Sequence, residues 1–282
     1  MEEMLKKEYG LYAIPEEVGM LIRLEEELNK EGESLDTIGF MPIVHEFAYA
    51  ITPPDLIPFA HTGGGGIHFG FLTDFDQITD LHEAPIVCVS PTNDPPIRYL
   101  ARNIQEFLSL ASSVPHVEML ESFWPCENEG SMEAIQKDFL SNTDVEWNKK
   151  REMIARRFHK TFSTGALPVQ QYVQEVLKER HEKMIIPTFD GLGIIGSADS
   201  VRKGQRFKLD DQHRQTEQEL TRMRDFLASA TREEKLAFIR DAYYWYILTP
   251  DYDGEVLKVV VELLKTLDLP TVVDRLEFRT GL

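Results

Sequence analysis

Between residues 40 and 89 the chain alternates short apolar runs with turn residues, whereas from residue 132 onward its apolar residues fall mostly at helical spacing. A run of four to eight residues bounded by Gly, Pro, Asn or Asp fits a strand. Apolar residues at i, i+3, i+4 and i+7 fit one face of a helix. This change of period limits the fold more than any other feature. It predicts an α+β protein, with a sheet covered by helices first and a mainly α-helical region after it.

The early elements can be placed one by one. Pro15 is positioned to open a helix through Val18, Leu21, Ile22, Leu24 and Leu28 that stops near Gly32, with Glu25, Glu26 and Glu27 on its exposed side. Residues 40–49 read as one or two strands, 56–59 as another, 63–66 as a glycine turn and 67–72 as a further strand. Residues 85–89 (PIVCV) look like a buried strand. Residues 90–96 form a loop, because their prolines withhold ladder donors. Ile104, Phe107, Leu108 and Ala111 then mark one face of a helix.

From residue 112 to 131 the pattern loosens around Pro115, Pro125 and Gly130, which suggests a boundary between a domain of residues 1–125 and one of residues 126–282. Beyond it, helices are expected over 132–161 with an irregularity at Ser141-Asn142, over 167–183 starting near Pro168, and over 210–230, 231–248 and 255–267. Thr231 and Glu234 have the spacing of a capping box. Only residues 184–196 look extended.

Charge narrows the function classes. The chain holds 30 Lys+Arg against 48 Asp+Glu, a formal charge of -18. Residues 1–115 carry 6 bases and 19 acids, net -13, and the rest 24 and 29, net -5. Such a surface does not neutralise phosphates, which argues against nucleic acid and against an anionic membrane. It does attract and steer a basic protein. The two cysteines, Cys88 and Cys126, make no disulfide framework, the first residues lack the basic-then-apolar order of a signal peptide, and no apolar run is long enough to span a bilayer. A cytoplasmic protein is the expectation, with no cofactor assigned and its oligomeric state open.

Several segments invite a chemical reading. Gly191, Gly193 and Gly196 fit G-x-G-x-x-G after an extended run, but little helical spacing follows. A glycine-rich hairpin or loop is therefore favoured over a nucleotide site. His61 and His68 flank the glycine turn and would approach each other if the neighbouring strands pair. With Asp74 or Asp76 they could begin a metal or ligand site, although structural histidines are the simpler reading. Asp251, Asp253, Glu255 and Glu262 match calcium-loop positions one, three, five and twelve, but the glycine is misplaced and Val256–Leu264 is helical. An acidic turn opening a helix is preferred. Cys88 lies in a core strand with no base beside it. Tyr243 to Tyr246 are four consecutive aromatics, which point all round a helix and suit core packing or docking.

Together, Ile14-Pro15-Glu16-Glu17, Pro53-Pro54-Asp55-Leu56-Ile57-Pro58-Phe59-Ala60, the glycine turn with His68-Phe69-Gly70-Phe71, Ala84-Pro85-Ile86-Val87-Cys88-Val89, and Ala101-Arg102-Asn103-Ile104-Gln105-Glu106-Phe107-Leu108 resemble the SUKH superfamily of immunity-type and yeast cell-wall-regulator proteins. The resemblance covers roughly residues 10–125. It implies a sheet covered on one side by helices, no shared catalytic constellation, and function through contact with a protein, typically a toxin domain. Such domains are often basic, which suits the acidic N-terminal part. Glu25, Glu26, Glu27, His61, His68, Asp74 and Asp76 are the candidate contact residues. A ligand-binding protein or enzyme with a site around His61, His68 and Asp74 is the competing reading.

Overall fold

A computed structural model describes residues 2–45, 47, 49–123, 129–196, 204–209, 215–247, 249 and 253–280. The chain opens with helices α1 (Glu2–Tyr9) and α2 (Glu16–Lys30) and a 3-10 turn at Leu35–Ile38. Pro15 stands immediately before α2, where its fixed φ favours helix initiation and its missing N–H is no loss. Strands β1 (Met41–Pro42), β2 (Leu56–His61), β3 (His68–Leu72), β4 (Ile86–Val89) and β5 (Ile97–Ala101) follow. Each pairs antiparallel with the next, so the sheet is a meander in chain order. After it come α3 (Ile104–Ser112), α4 (Met119–Phe123), α5 (Glu129–Ser141), α6 (Val145–Phe162) and α7 (Val169–Lys183). A hairpin of β6 (Met184–Ile186) and β7 (Ile194–Ile195) precedes α8 (Glu217–Ser229), α9 (Arg232–Tyr244), α10 (Gly254–Thr266) and α11 (Pro270–Thr280). The protein is α+β, a sheet in its N-terminal part followed by helices, as the change of period predicts.

Local chemistry sets the departures from expectation. The helical region 132–161 divides into α5 and α6 at the irregular Ser141-Asn142, and Asp144 caps α6 by accepting from the Trp147 N–H at 2.8 Å. The helix expected from residue 210 starts only at Glu217, because Thr216 and Glu219 form their own capping box. Asp210 and Asp211 lie outside the described residues. Among the described residues of the stretch 40–49 only the two of β1 are strand, whereas β5 occupies a stretch given no element from sequence.

Alternate strand residues face opposite sides. On one face Phe69, Phe71, Ile86 and Cys88 belong to a large apolar core. Phe40 is its hub, with ring centroids 5.5 Å from Phe158, 5.7 Å from Phe107 and 6.0 Å from Phe69. On the other face Leu56, Leu72, Val87, Val89 and Ile97 pack with Leu192 and Tyr244. Every residue of β3 and β4 is buried. The sheet is therefore covered on both sides, not on one as the resemblance implies.

The helices after residue 126 are shared between two cores. Met132, Ile154, Phe158, Phe162, Tyr172 and Val176, on α5 to α7, join the core of the first sheet face. Helices α8 to α11 build a second core with Ile186 and Ile194, into which Phe75 inserts from the turn after β3. Among the described residues no helix is long and apolar enough to cross a membrane.

Candidate functional site

The turn after β3 organises the middle of the molecule. Asp74, Phe75 and Asp76 all have left-handed backbones, with φ of 47°, 56° and 62°. Each such residue costs about 1–2 kcal/mol relative to the ordinary helical region. Asp55 fixes the turn: its carbonyl accepts from the Thr73 N–H at 2.9 Å and its Oδ2 from the Phe75 N–H at 3.1 Å. The three strained residues then point their side chains to three different partners. Phe75 enters the second core, Asp76 accepts from the Tyr12 and Thr271 hydroxyls at 2.6 Å each, and Asp74 meets two arginines.

Those arginines close a buried charged centre. Arg180, on α7, grips Asp74 with two parallel bonds of 2.7 Å and gives its Nε to the Leu192 carbonyl, also at 2.7 Å. Arg240, on α9, reaches Asp55 Oδ2 at 2.6 Å, Asp74 Oδ1 at 3.2 Å and Asp190 Oδ2 at 3.4 Å. Arg240 also lies over the Phe75 ring and Arg180 over the Tyr99 ring, at 4.8 Å and 5.4 Å from the centroids. Each of the five charged residues is at most 5% exposed. Three carboxylates thus face two guanidinium groups away from water. Burial pushes the Asp55 carboxyl up to about 6, against the pull of Arg240. Asp241, next along α9, accepts from the Phe189 N–H and pairs with Arg206; burial likewise raises it to about 6. The centre ties the sheet to α7, α9 and the β6–β7 hairpin, and its chemistry is that of a clamp.

The paired imidazoles sit at the opposite end of β3. His61 and His68 are cross-strand partners, as the hairpin reading requires. His68 is fully buried, its two ring nitrogens within hydrogen-bond distance of Thr52 Oγ1 (3.0 Å) and the Gly66 carbonyl (2.8 Å), with Tyr49 stacked on it at 5.8 Å. Gly66 has a φ of 72°, and a Cβ there would lie 2.5 Å from the Tyr49 ring, so only glycine fits. His61 accepts from the Gly63 N–H and stacks on Phe47 at 5.0 Å; burial and the neighbouring His45 lower its pKa. Asp74 is not with them. Strand β3, roughly 13 Å long at 3.3 Å per residue, lies between. The competing site around His61, His68 and Asp74 is therefore not assembled, and Asp74 and Asp76 are spent on internal partners. Among the described residues no group of three or more His, Cys, Asp and Glu is arranged to hold a metal.

The three glutamates of α2 do not form one face either. Successive helical residues are turned about 100° from each other, so neighbours diverge. Glu25 accepts from the Ser34 hydroxyl at 2.8 Å and the Leu35 N–H at 2.7 Å, holding the 3-10 turn. Glu27 and Glu31 pair with Arg157 of α6, and Glu33 with Lys150. Helix α6 carries Lys149, Lys150, Arg151, Arg156, Arg157 and Lys160 against only Glu146 and Glu152. Part of the N-terminal acidity thus docks a basic helix of the same chain. Glu26 stays exposed, as do Glu16, Asp80 and Glu83. Glu17 accepts from Gln105 and lies 3.4 Å from His82, which brings the 80–83 loop beside the start of α2.

The remaining motifs are structural. Gly191 and Gly193 lie in the β6–β7 connection with φ of 76° and 61°, leading into a strand, and the Leu192 and Gly193 carbonyls face Arg180. Asp253 caps α10 through the Glu255 N–H and accepts from the Gln215 N–H, so the acidic turn does open a helix; Asp251 and Tyr252 lie outside the described residues. Cys88 is buried and its thiol is pushed up to about 12. It pairs across the sheet with Arg98, which meets Glu121 at 2.9 Å. Cys126 lies outside the described residues. Tyr243 is buried, Tyr244 stacks on Phe189 at 5.8 Å, and Tyr246 is 41% exposed in the turn that ends α9. No protein-family model matches the chain, and no curated protein matches its sequence.

Proposed function

We propose that the chain is a non-enzymatic protein-binding protein of immunity type, which engages a basic protein such as a toxin domain through its acidic N-terminal surface. The observation that carries this reading is the excess of acids in residues 1–115, 19 against 6 bases, together with the position of those left at the surface. Glu16, Glu26, Asp80 and Glu83 are exposed on α2 and the loop beside its start. These side chains raise the local concentration of a cationic partner and speed its encounter. The SUKH resemblance of residues 10–125 supports the immunity-type part of the reading. The cysteine usage supports the cytoplasm as the place of work.

The test is affinity capture from the native cell with the wild-type chain and with a Glu16→Gln, Glu26→Gln, Asp80→Asn, Glu83→Gln variant. A basic protein retained by the wild type at low salt, eluted by salt and depleted on the variant is the expected result. Equal capture by both chains, or no basic protein, overturns the proposal. Glu25 and Glu27 are poor probes, because replacing them disturbs the 3-10 turn and the docking of α6.

A further inference from the structure

Between α4 and α5 lies a pocket of 390 Å³. Met119, Ile135 and Phe139 give it apolar walls, and His116, Glu118 and Asp138 are its charged or titratable lining. His116 rests against Gly39, where a Cβ would come within 2.2 Å of the ring, and its ring centroid is 5.5 Å from that of Phe139. Burial lowers the His116 pKa, which keeps the ring neutral at pH 7. The formal charge of the lining is thus that of the two carboxylates, with no described Lys or Arg among the lining residues. Glu118 and Asp138 are exposed, so their charges stand at the rim while the walls are greasy.

A long cationic side chain matches both parts. Lys and Arg lay an apolar stem along apolar surface and keep the charged head in polar surroundings, and an aromatic ring adds attraction for the cation. We propose that this pocket seats one lysine or arginine side chain of the basic partner, its stem against Met119, Ile135 and Phe139 and its cation between Glu118 and Asp138. The proposal rests on the partner being basic, but it concerns a separate anchor rather than the diffuse acidic surface. The diffuse charges govern encounter, and a filled pocket governs dissociation.

The first arm of the test uses peptides alone. The full chain is titrated with three heptapeptides of glycine and serine that carry one arginine, one lysine or one norleucine, and the resonances of His116 and Phe139 are followed by NMR. Saturable shifts at these residues are expected with the arginine or lysine peptide. The norleucine peptide, and the Glu118→Gln, Asp138→Asn variant, should bind at least about tenfold more weakly. The Asp225→Asn variant, which removes an exposed carboxylate of α8 outside both the pocket and the acidic N-terminal surface, should respond like the wild type, and far-UV circular dichroism checks that the double variant is folded. Equal response to norleucine, undiminished binding by the double variant, or absence of saturable shifts at His116 and Phe139 overturns the pocket assignment. If the double variant still captures the basic protein with unchanged dissociation, the pocket falls and the acidic-surface reading stands; if no basic protein is captured at all, that reading falls whatever the peptides do.

Discussion

The sheet face of Phe69, Phe71, Ile86 and Cys88 is closed by rings and aliphatic chains, whereas the turn at the end of the opposite face is closed by Arg180 and Arg240 on Asp55, Asp74 and Asp190. The two closures obey different rules. Apolar contacts are non-directional, so any shape that fills the volume serves almost as well. Buried charges are directional and mutually dependent: each is tolerable only while its partner stays. The first closure should forgive substitutions of similar size, and the second should not.

The largest expected effect is therefore on the charged side. Arg240→Met keeps much of the side-chain volume but leaves Asp55 and Asp190 without their guanidinium. The expected loss is about 3–5 kcal/mol of unfolding free energy by denaturant titration. Adding Asp55→Asn should restore part of it, since one stranded charge is removed. A loss no larger than that of an exposed ion pair would erase the contrast between the two closures.

A change of pH sharpens the same contrast. The Asp55 carboxyl is raised from 3.8 to about 6, so between those values the folded chain binds more protons than the unfolded one. Its contribution then favours the fold at low pH and is lost as pH rises through about 6, with a slope of at most about 1.4 kcal/mol per pH unit. Asp241 shifts in the same direction. Measured against Asp55→Asn, which cannot titrate, the wild type should gain relative stability as pH falls from 6 to 4. A difference that is flat or of opposite sign contradicts the assignment.

On the aromatic side Phe107→Leu is expected to cost less than about 1.5 kcal/mol, because the ring volume is largely replaced. The smallest effect belongs to the exposed pairs between α2 and α6: Arg157→Gln should cost about 0.2–1 kcal/mol, and less as salt is added. Thermal and denaturant unfolding check both.

The same division explains what the sequence could tell. The strands at 56–61, 68–72 and 86–89 were legible because burial on both sides writes continuous apolar runs, and Pro15 and Thr231-Glu234 carry their own helix-start chemistry. Strand β5 was hidden by Pro95-Pro96 before it and by Arg98 within it, a buried arginine whose partner Glu121 is 23 positions away. Thr216-Glu219 repeats the Thr231-Glu234 signal and could have placed the start of α8. The charged centre gathers residues 55, 74, 180, 190 and 240, and no periodicity links them. Its one local sign is Arg240-Asp241 inside the otherwise apolar run of α9, where eight consecutive residues from Leu236 to Tyr243 are buried. The reading of Glu25 to Glu27 as one surface missed the 100° turn between neighbours and the basic helix α6, which claims Glu27 together with Glu31 and Glu33.

If interior carboxylates hold the fold and exterior ones recruit the partner, the decisive quantity is the rate at which the captured basic protein associates. Stopped-flow association of that protein with the wild type and with the Glu16→Gln, Glu26→Gln, Asp80→Asn, Glu83→Gln variant should be followed from about 0.1 M to about 1 M salt, as the Debye length shrinks from about 10 Å to about 3 Å. The wild-type rate should fall at least about tenfold across this range, and the variant should be slow and nearly indifferent to salt, with dissociation changed little in either. A wild-type rate that ignores salt, or a variant as fast as the wild type at low salt, would contradict the account.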